Sequence, residues 1–246
     1  TTIPKSSDYF NTKLYTGNSS TQTISGVGFQ PDFTWIKNRN GVRNHMLFDS
    51  VRGALYRLQS NTTAVSASTA NTLTSWNSDG FALGSENDTN GTGATFASWN
   101  WLANGSGSLN EVGSIDSTVS VNTTSGFSIV SYTGNGSAGA TIGHGLSAVP
   151  KMMIIKGRSF SDAWIVYHKN IGATKDLRLN LTNAASTNSG PFNNTEPTSS
   201  LFTVGSGSAT NNGSATFIAY CFADVQGFSK FGSYIGNGNA DGTFVY

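Results

Sequence analysis

Charged residues are scarce in this sequence. Asp, Glu, Lys and Arg together make up 11% of the 246 residues, and the formal net charge is +1. Binding to nucleic acid or to an anionic lipid surface depends on clustered Lys and Arg side chains that displace counterions. The sequence has no basic stripe, so we expect neither a nucleic-acid partner nor electrostatic capture by a membrane.

Cysteine and long apolar runs are also lacking. The single cysteine, Cys221, excludes an internal disulfide, and it lies in the apolar run TFIAYCFA, where a thiol acts as a small hydrophobic side chain. No apolar run approaches the roughly 18 residues of a membrane-spanning helix, so we expect no membrane insertion. The sequence begins TTIPKSSDYF, without an initiator Met or a signal-peptide core, which favours a segment of a longer polypeptide.

Helical periodicity is almost absent, whereas strand signals run through the whole chain. Hydrophobic residues make up 37% of the sequence and aromatic residues 11%, which is enough apolar surface for a folded core despite the abundance of Gly, Ser, Thr and Asn. Short runs rich in Ile, Val, Thr and aromatic residues are bounded by Gly, Asn and Pro. This pattern is typical of antiparallel strands.

The sequence repeats itself. The block YTGN at Tyr15 recurs at Tyr132, and QPDFTWIK, ending at Lys37, recurs as VPKMMIIK, ending at Lys156. Later, GFALGS and NGTGATFASWNWLA recur in the same order as LFTVGS and NGSATFIAYCFA, and a third version of the first block, YIGN, begins at Tyr234. Several blocks in the same order indicate two copies of one unit.

We therefore predict an all-β fold of two tandem antiparallel β-sandwich units of jelly-roll or lectin-like type. The first unit comprises residues 1–103 and the second residues 127–232. Residues 104–126 form a polar linker, in which the alternating STVSVN favours a strand. Residues 233–246 either start a third repeat or add a strand to a neighbouring sheet.

The last strand of each copy has one large apolar face. Side chains alternate between the two faces of a strand, and this face comprises Ala97, Trp99 and Trp101 in the first copy and Ile218, Tyr220 and Phe222 in the second. We expect it to pack a core, and the opposite, smaller face to be partly covered or wet. Trp35, which Ile154 matches in the second copy, is interpreted as a core residue in the same way.

An Asn-Gly pair precedes the last strand of each copy and favours a hairpin turn there. Asn90-Gly91 and Asn212-Gly213 are Asn-Gly pairs in matching blocks of the two copies. Type I′ turns prefer this pair because both central residues need a positive φ. We therefore predict tight hairpin turns at both pairs.

No catalytic or metal-binding constellation is recognisable. The three histidines, His45, His144 and His168, are isolated, and the sequence contains no His-x-x-x-His, Gly-x-Ser-x-Gly or paired-Cys motif. The stretch SENDTNG carries alternating carboxylates that suit Ca²⁺, but its partner SGSATNNG carries none, so a solvated loop is the favoured interpretation. We predict no catalytic residue, no metal site and no cofactor.

Five residues are candidate ligand contacts. Trp76 has no aromatic counterpart in the second copy and is flanked by Asn77 and Asp79. This combination suits a sugar, because a ring stacks on its apolar face while amides and carboxylates bind its hydroxyls. Arg43 and Arg158 occupy equivalent loops after the strands that end in IK, and an ordinary charged loop is the alternative interpretation of both.

Several of these blocks also carry a resemblance to a known family. They are YTGNGSAGATIGHGLSAVPKMMIIKGRS, WIVYHKN, ATFIAYCFADVQGFSKFGSYIGNGNADGTFVY and, in the first copy, WNSDGFALGS and NGTGATFASWNWLANG. In these residues the chain resembles a repeated β-domain of marine bacteriophage virion proteins, either tail-fibre-like or capsid-appendage proteins. The resemblance covers nearly the whole chain.

The resemblance implies a non-enzymatic structural or adhesive role in the virion. The implied partners are other virion proteins, further copies of this chain in a homo-oligomer, a trimer among the options, and a host surface glycan bound weakly at many points. A head-decoration or spacer protein that binds only other virion proteins is the alternative. A surface-polysaccharide hydrolase ranks last, since it needs two carboxylates that face one groove about 5–10 Å apart.

Overall fold

The chain folds as an all-β protein. The computed structural model describes residues 3–244, in which about 40% is strand and 5% is helix. Within these residues the strands form several antiparallel sheets, and none of the sheets closes on itself. The all-β prediction is confirmed.

The first half of the chain, from β1 to β9, contains short strands and one helical turn, and a 3-10 turn precedes it at Ser6–Asp8. Its elements are β1 (Phe10–Thr16), β2 (Gln22–Ser25), β3 (Phe33–Asn38), β4 (Met46–Asp49), β5 (Tyr56–Gln59), β6 (Ala67–Ser68), β7 (Leu73–Asn77), β8 (Gly80–Leu83), α1 (Asn87–Asn90) and β9 (Thr95–Trp101).

The second half, from β10 to β19, adds two strands at its start and then follows the same plan. Its elements are β10 (Ser108–Asn110), β11 (Ser117–Asn122), β12 (Phe127–Thr133), β13 (Ala140–Gly143), β14 (Pro150–Gly157), β15 (Ile165–His168), β16 (Lys175–Arg178), β17 (Ser186–Thr187), β18 (Leu201–Val204), α2 (Ser208–Asn211) and β19 (Thr216–Ala223).

The two halves repeat one strand order. In the first half a large sheet has the order β1-β9-β3-β4-β5-β6 and a small sheet the order β2-β8-β7; in the second half the large sheet runs β10-β11-β12-β19-β14-β15-β16-β17 and the small one is β13-β18. The stretch STVSVN is β11, which pairs with β12. In the first half, β1 at the corresponding position is an edge strand. The boundaries predicted for the units themselves stay a prediction.

Three apolar clusters separate four layers of sheet. One lies between the small and large sheets of the first half, and one lies in the same place in the second half. The third joins the two large sheets and includes Phe33 and Leu47 from the first half and Phe127, Trp164 and Tyr220 from the second. The central strands of each large sheet are therefore covered on both faces, whereas Leu14 on the edge strand β1 is 65% exposed.

The prediction that the smaller face of the last strand is partly covered or wet is wrong. In β9, Phe96, Ser98 and Asn100 are completely buried, so the smaller face is the one that lines the interior of its own half. Trp101, on the large face, packs instead into the cluster between the two large sheets. The physical reason is the layering, because a sheet that has a second sheet on each side must bury both faces.

The repeated YTGN block holds the helical turn that precedes the last strand. The Tyr15 hydroxyl donates to the carbonyl of Thr89 at 2.7 Å, and the side chain of Asn90 binds the backbone of Asn18 and Ser20. The second half repeats the tyrosine bond at 2.7 Å. The block is thus a structural contact, and its partner is the helical turn that ends at Asn90 in the first half and at Asn211 in the second.

The predicted type I′ turns at the Asn-Gly pairs are also wrong. Asn90 ends α1, and Gly91 follows with φ −60°; Asn212 follows α2 and has the same φ. A helical turn stands there because the buried Asn90 amide also donates to the carbonyl of Gly84 at 2.8 Å, which holds the turn from within.

Residues 233–244 form no strand. Tyr234 and Ile235 of the third block are 69% and 89% exposed. The turn of the block is nevertheless present, because the Asn237 side chain accepts the N–H of Asn239 at 3.0 Å. Asn18 and Asn135 make the same bond in the first and second blocks, to the N–H of Ser20 and Ser137. Residues 245 and 246, the end of the predicted third block, lie outside the described residues.

Candidate functional site

Three of the predicted ligand contacts share the β7–β8 hairpin. Trp76 is partly buried against the core of the first half, and its Nε1 is buried with no hydrogen-bond partner in residues 3–244. The Asp79 carboxylate accepts the backbone N–H groups of Gly28 at 2.6 Å and Gly26 at 2.8 Å, and these bonds lower the pKa of Asp79. Asn77 accepts the hydroxyl of Ser75 at 3.2 Å. Both polar side chains thus already have local partners.

The two arginines occupy different environments. The exposed Arg43 lies with its Nη1 3.8 Å from a carboxylate oxygen of Asp88. Arg158 is partly buried, donates from Nη1 to the Ser131 hydroxyl at 3.1 Å, and accepts the N–H of Ser66 from the first half at its carbonyl. Burial, and then the nearby Arg52, lower its pKa. Arg158 is thus a contact between the halves.

A cleft lies where the two halves meet at the surface. It has a volume of about 350 Å³. The first half contributes Trp35 from β3, His45 before β4 and the turn Ser60–Asn61 after β5, and the second half contributes the turn 179–182 after β16. None of these lining side chains is acidic, and none is Lys or Arg.

The hydrogen bonds around His45 determine its tautomer. The indole N–H of Trp35 donates to Nδ1 of His45 at 3.1 Å, so the ring proton of the neutral imidazole is on Nε2. The backbone N–H of His45 donates to Oδ1 of Asn61 at 3.0 Å. Burial, and then the positive charge of Lys37, lower the pKa of His45. The side chain is therefore a neutral donor through Nε2 at neutral pH.

His45 stands where the second half has Trp164. His45 precedes β4, which pairs with β5, and Trp164 precedes β15, which pairs with β16. The backbone N–H of His45 donates to the Asn61 side chain, and that of Trp164 donates to the Asn180 side chain at 2.9 Å. Trp164 is fully buried and donates from Nε1 to the carbonyl of Gln59 at 3.0 Å. The smaller imidazole of His45 lines open space instead.

Two other places in the fold fit a ligand less well. A larger concave surface of about 540 Å³ is lined by one continuous segment, residues 224–230, and so lacks walls from separate elements. The side chains of Asp49 and Arg52 form an ion pair at 2.5 Å, but both are 0% exposed. Among residues 3–244, no group of three or more His, Cys, Asp or Glu side chains could hold a metal ion.

The repeat contains a signal for the cleft that the sequence interpretation missed. Trp35 was assigned to the core, and the tryptophan that replaces His45 in the second half was not compared with it. A position that is Trp in one copy and His in the other marks a place where the packing differs. Nothing in the sequence indicates that Asn180 lines the cleft, because the opposite wall of the cleft comes from the other half of the chain.

Fold and site together define an all-β protein made of two repeated sets of strands, with an uncharged cleft between them. The chain belongs to the family described as a domain of unknown function (DUF7483), whose model matches residues 5–246. No curated protein matches the chain, and neither does any solved structure. In the described part of the chain, no helix has the length and apolar character needed to cross a membrane.

Proposed function

We propose that this chain is a non-enzymatic structural and adhesive protein that binds neutral glycans weakly. The observation that carries the proposal is the cleft at the junction of the halves, which combines an aromatic ring, amides and hydroxyls with no charged lining residue. Sugars without charge are recognised by such sites, because apolar contacts and a few well-placed polar groups provide the binding free energy.

The proposal includes a place in a virion appendage such as a tail fibre, with other virion proteins and further copies of this chain as partners. Its support is the sequence resemblance given above and the low net charge of +1. We also propose that each half is a jelly-roll-like sandwich unit, since each has one large and one small sheet around its own apolar cluster. Repetition of such units would strengthen weak contacts through effective concentration.

An array of neutral and anionic glycans tests the adhesive function. The intact chain, tagged at its N-terminus and multimerised on streptavidin, is expected to retain a subset of neutral glycans. This binding should change little between low and high sodium chloride concentration, because salt screens charged contacts and the cleft has none. Retention of anionic glycans alone, or of no glycan, would contradict the proposal.

A spacer protein that binds only other virion proteins is the second candidate. It is favoured by the uncovered edge of β1, since β11 covers the corresponding edge of β12 in the second half. An unpaired edge presents backbone donors and acceptors to a strand from another protein. An array without any bound glycan, together with self-association that a proline in β1 abolishes, would favour this candidate.

A further inference from the structure

The cleft has the size and the construction of a small-ligand site. Its volume of about 350 Å³ lies within the range of about 300–1,000 Å³ that is typical of such sites. Its walls come from strands and turns of both halves, which the apolar cluster between the large sheets holds together. The walls are therefore in place before a ligand arrives.

Trp35 supplies an oriented aromatic ring in this cleft. The side chain is only partly buried, packs at its inner side against the cluster between the large sheets, and is fixed by the bond from its Nε1 to His45. The imidazole meets it edge-on, with the ring centroids 5.9 Å apart and the planes at 77°. Opposite, Leu179 and Leu181 are 39% and 46% exposed, so the cleft has apolar surface on both sides.

Two side chains of the cleft, His45 and Asn180, have donor groups that no neighbouring residue uses among residues 3–244. Nε2 of His45 carries a proton and has no partner in residues 3–244. Oδ1 of Asn180 accepts the N–H of Trp164. The side-chain NH2 group of Asn180 takes no part in that bond and is left as a donor. The Asn61 amide, in contrast, is used at both ends, since it accepts from His45 and donates to Asn44 at 2.9 Å. Asn61 is therefore scaffold, and His45 and Asn180 are the free donors.

These groups select a ligand that is uncharged, has several acceptor oxygens and presents one apolar face. A pyranose ring has all three properties. We propose that the cleft binds one neutral sugar residue of a glycan, stacked on Trp35, with Nε2 of His45 and the Asn180 amide donating to its hydroxyl oxygens. This inference rests on the proposed glycan-binding function, and it assigns that function to residues outside the β7–β8 hairpin.

Binding of simple sugars to the intact chain tests the assignment. The probes are the methyl pyranosides of glucose, galactose, mannose and N-acetylglucosamine. Their binding is detected in NMR spectra by shifts of the side-chain ¹⁵N–¹H signals of His45 and Trp35. We expect at least one probe to shift both signals. Trp35→Ala should raise the Kd of that sugar at least about tenfold, a change that corresponds to the loss of one stacking contact.

A second variant keeps the test valid if Trp35→Ala unfolds. Leu181→Arg places a long charged side chain at the exposed rim of the cleft, and we expect it to raise the Kd at least about tenfold at an unchanged melting temperature. Leu109→Arg is the control, since Leu109 is also an exposed leucine, at 66%, and lies on β10, outside the cleft. We expect it to bind like the parent chain.

Two outcomes overturn the assignment, and they can be told apart. If the sugar still binds to Leu181→Arg with the parent Kd but is lost in Trp76→Ala, the site is on the hairpin, and the glycan-binding function stands without the cleft. If neither the array nor any pyranoside shows binding to the intact chain, the function and the assignment both fail.

Discussion

At the scale of single residues, the one cysteine and one of the three histidines lie in the interior. Cys221 is completely buried in the core of the second half, and burial raises the pKa of its thiol to about 12. Because the thiolate is the nucleophilic form, this cysteine is unreactive in the folded protein. The interpretation of Cys221 as a small hydrophobic side chain is confirmed.

His144 is buried as a neutral ring. Its Nδ1 accepts the N–H of Leu146 at 3.2 Å, so Nε2 carries the proton and donates to the carbonyl of Thr198, also at 3.2 Å. A second ring proton would point at the N–H of Leu146. Burial lowers the pKa of His144, in keeping with this arrangement.

We expect His144 to make the stability pH-dependent. The unfolded chain has a histidine pKa of about 6.5, whereas the folded value is lower. Between these two values the unfolded state binds more protons, so the free energy of unfolding falls as the pH drops below about 6.5. His144→Gln should reduce this fall. Urea unfolding of both proteins at about pH 7.5 and about pH 5.5 measures it.

His168→Asn is the control for this experiment, since it removes a histidine from the end of β15 while His144 stays in place. It should keep the fall that His144 causes. His45, whose pKa burial and Lys37 also lower, contributes in the same direction and remains in both variants. An unchanged pH dependence in His144→Gln would show that the buried ring does not control it.

At the scale of elements, the repeated blocks fasten loops to helical turns. The loop after β12 passes so close to the end of α2 that a Cβ on Gly134 would lie 2.5 Å from the carbonyl oxygen of Asn212 and 2.9 Å from the ring of Phe217. In the first half, a Cβ on Gly17 would collide with the carbonyl of Gly91. The glycine of the YTGN block is thus required by the close approach of two backbones.

We expect Gly134→Ala to destabilise the protein by about 1–3 kcal/mol, the usual range for an added methyl group in a packed site. Urea unfolding followed by tryptophan fluorescence measures the change. Gly236→Ala, in the third block, is the matched control, because a Cβ there meets nothing within 4 Å. Its free energy of unfolding should stay within about 0.5 kcal/mol of the parent value. Equal effects of the two substitutions would contradict the close-packing account.

At the scale of the whole molecule, one buried polar cluster joins the halves. Asp49, from the first half, accepts the hydroxyl of Tyr220, from the second, at 2.7 Å. The same carboxylate oxygen accepts from Nε of Arg52, whose guanidinium also donates to the carbonyls of Tyr56 and Leu47. The second half has His168 opposite Met152, where the first has Asp49 opposite Phe33, so within residues 3–244 the second half does not repeat the cluster.

We expect Tyr220→Phe to lower the free energy of unfolding by about 1.5–3 kcal/mol, because a hydrogen bond to a buried charged group is lost. Because the halves share one apolar cluster, unfolding should remain a single transition by fluorescence and by circular dichroism. Tyr234→Phe, at an exposed tyrosine, serves as the control and should change stability by less than about 0.5 kcal/mol. A Tyr220→Phe value as small as this would show that the hydroxyl does not hold the halves together.

The sequence by itself determined the all-β class, the recurrence of the same blocks in the same order and the buried state of Cys221. These features depend on short-range patterns, since the alternation of apolar residues and the positions of glycine indicate strands and turns wherever they occur.

Only the tertiary structure decided which face of each large sheet meets which neighbour. Alternation shows that β9 has two different faces, but burial of Ser98 and Asn100 on the inner face depends on partners such as the Thr34 hydroxyl, which donates to Asn100 at 3.0 Å. Apart from the difference between His45 and Trp164 in the two copies, the candidate site depended on the tertiary structure. His45 and Asn180 are remote in the sequence, and the packing of one half on the other brings them to one cleft, which no local pattern encodes.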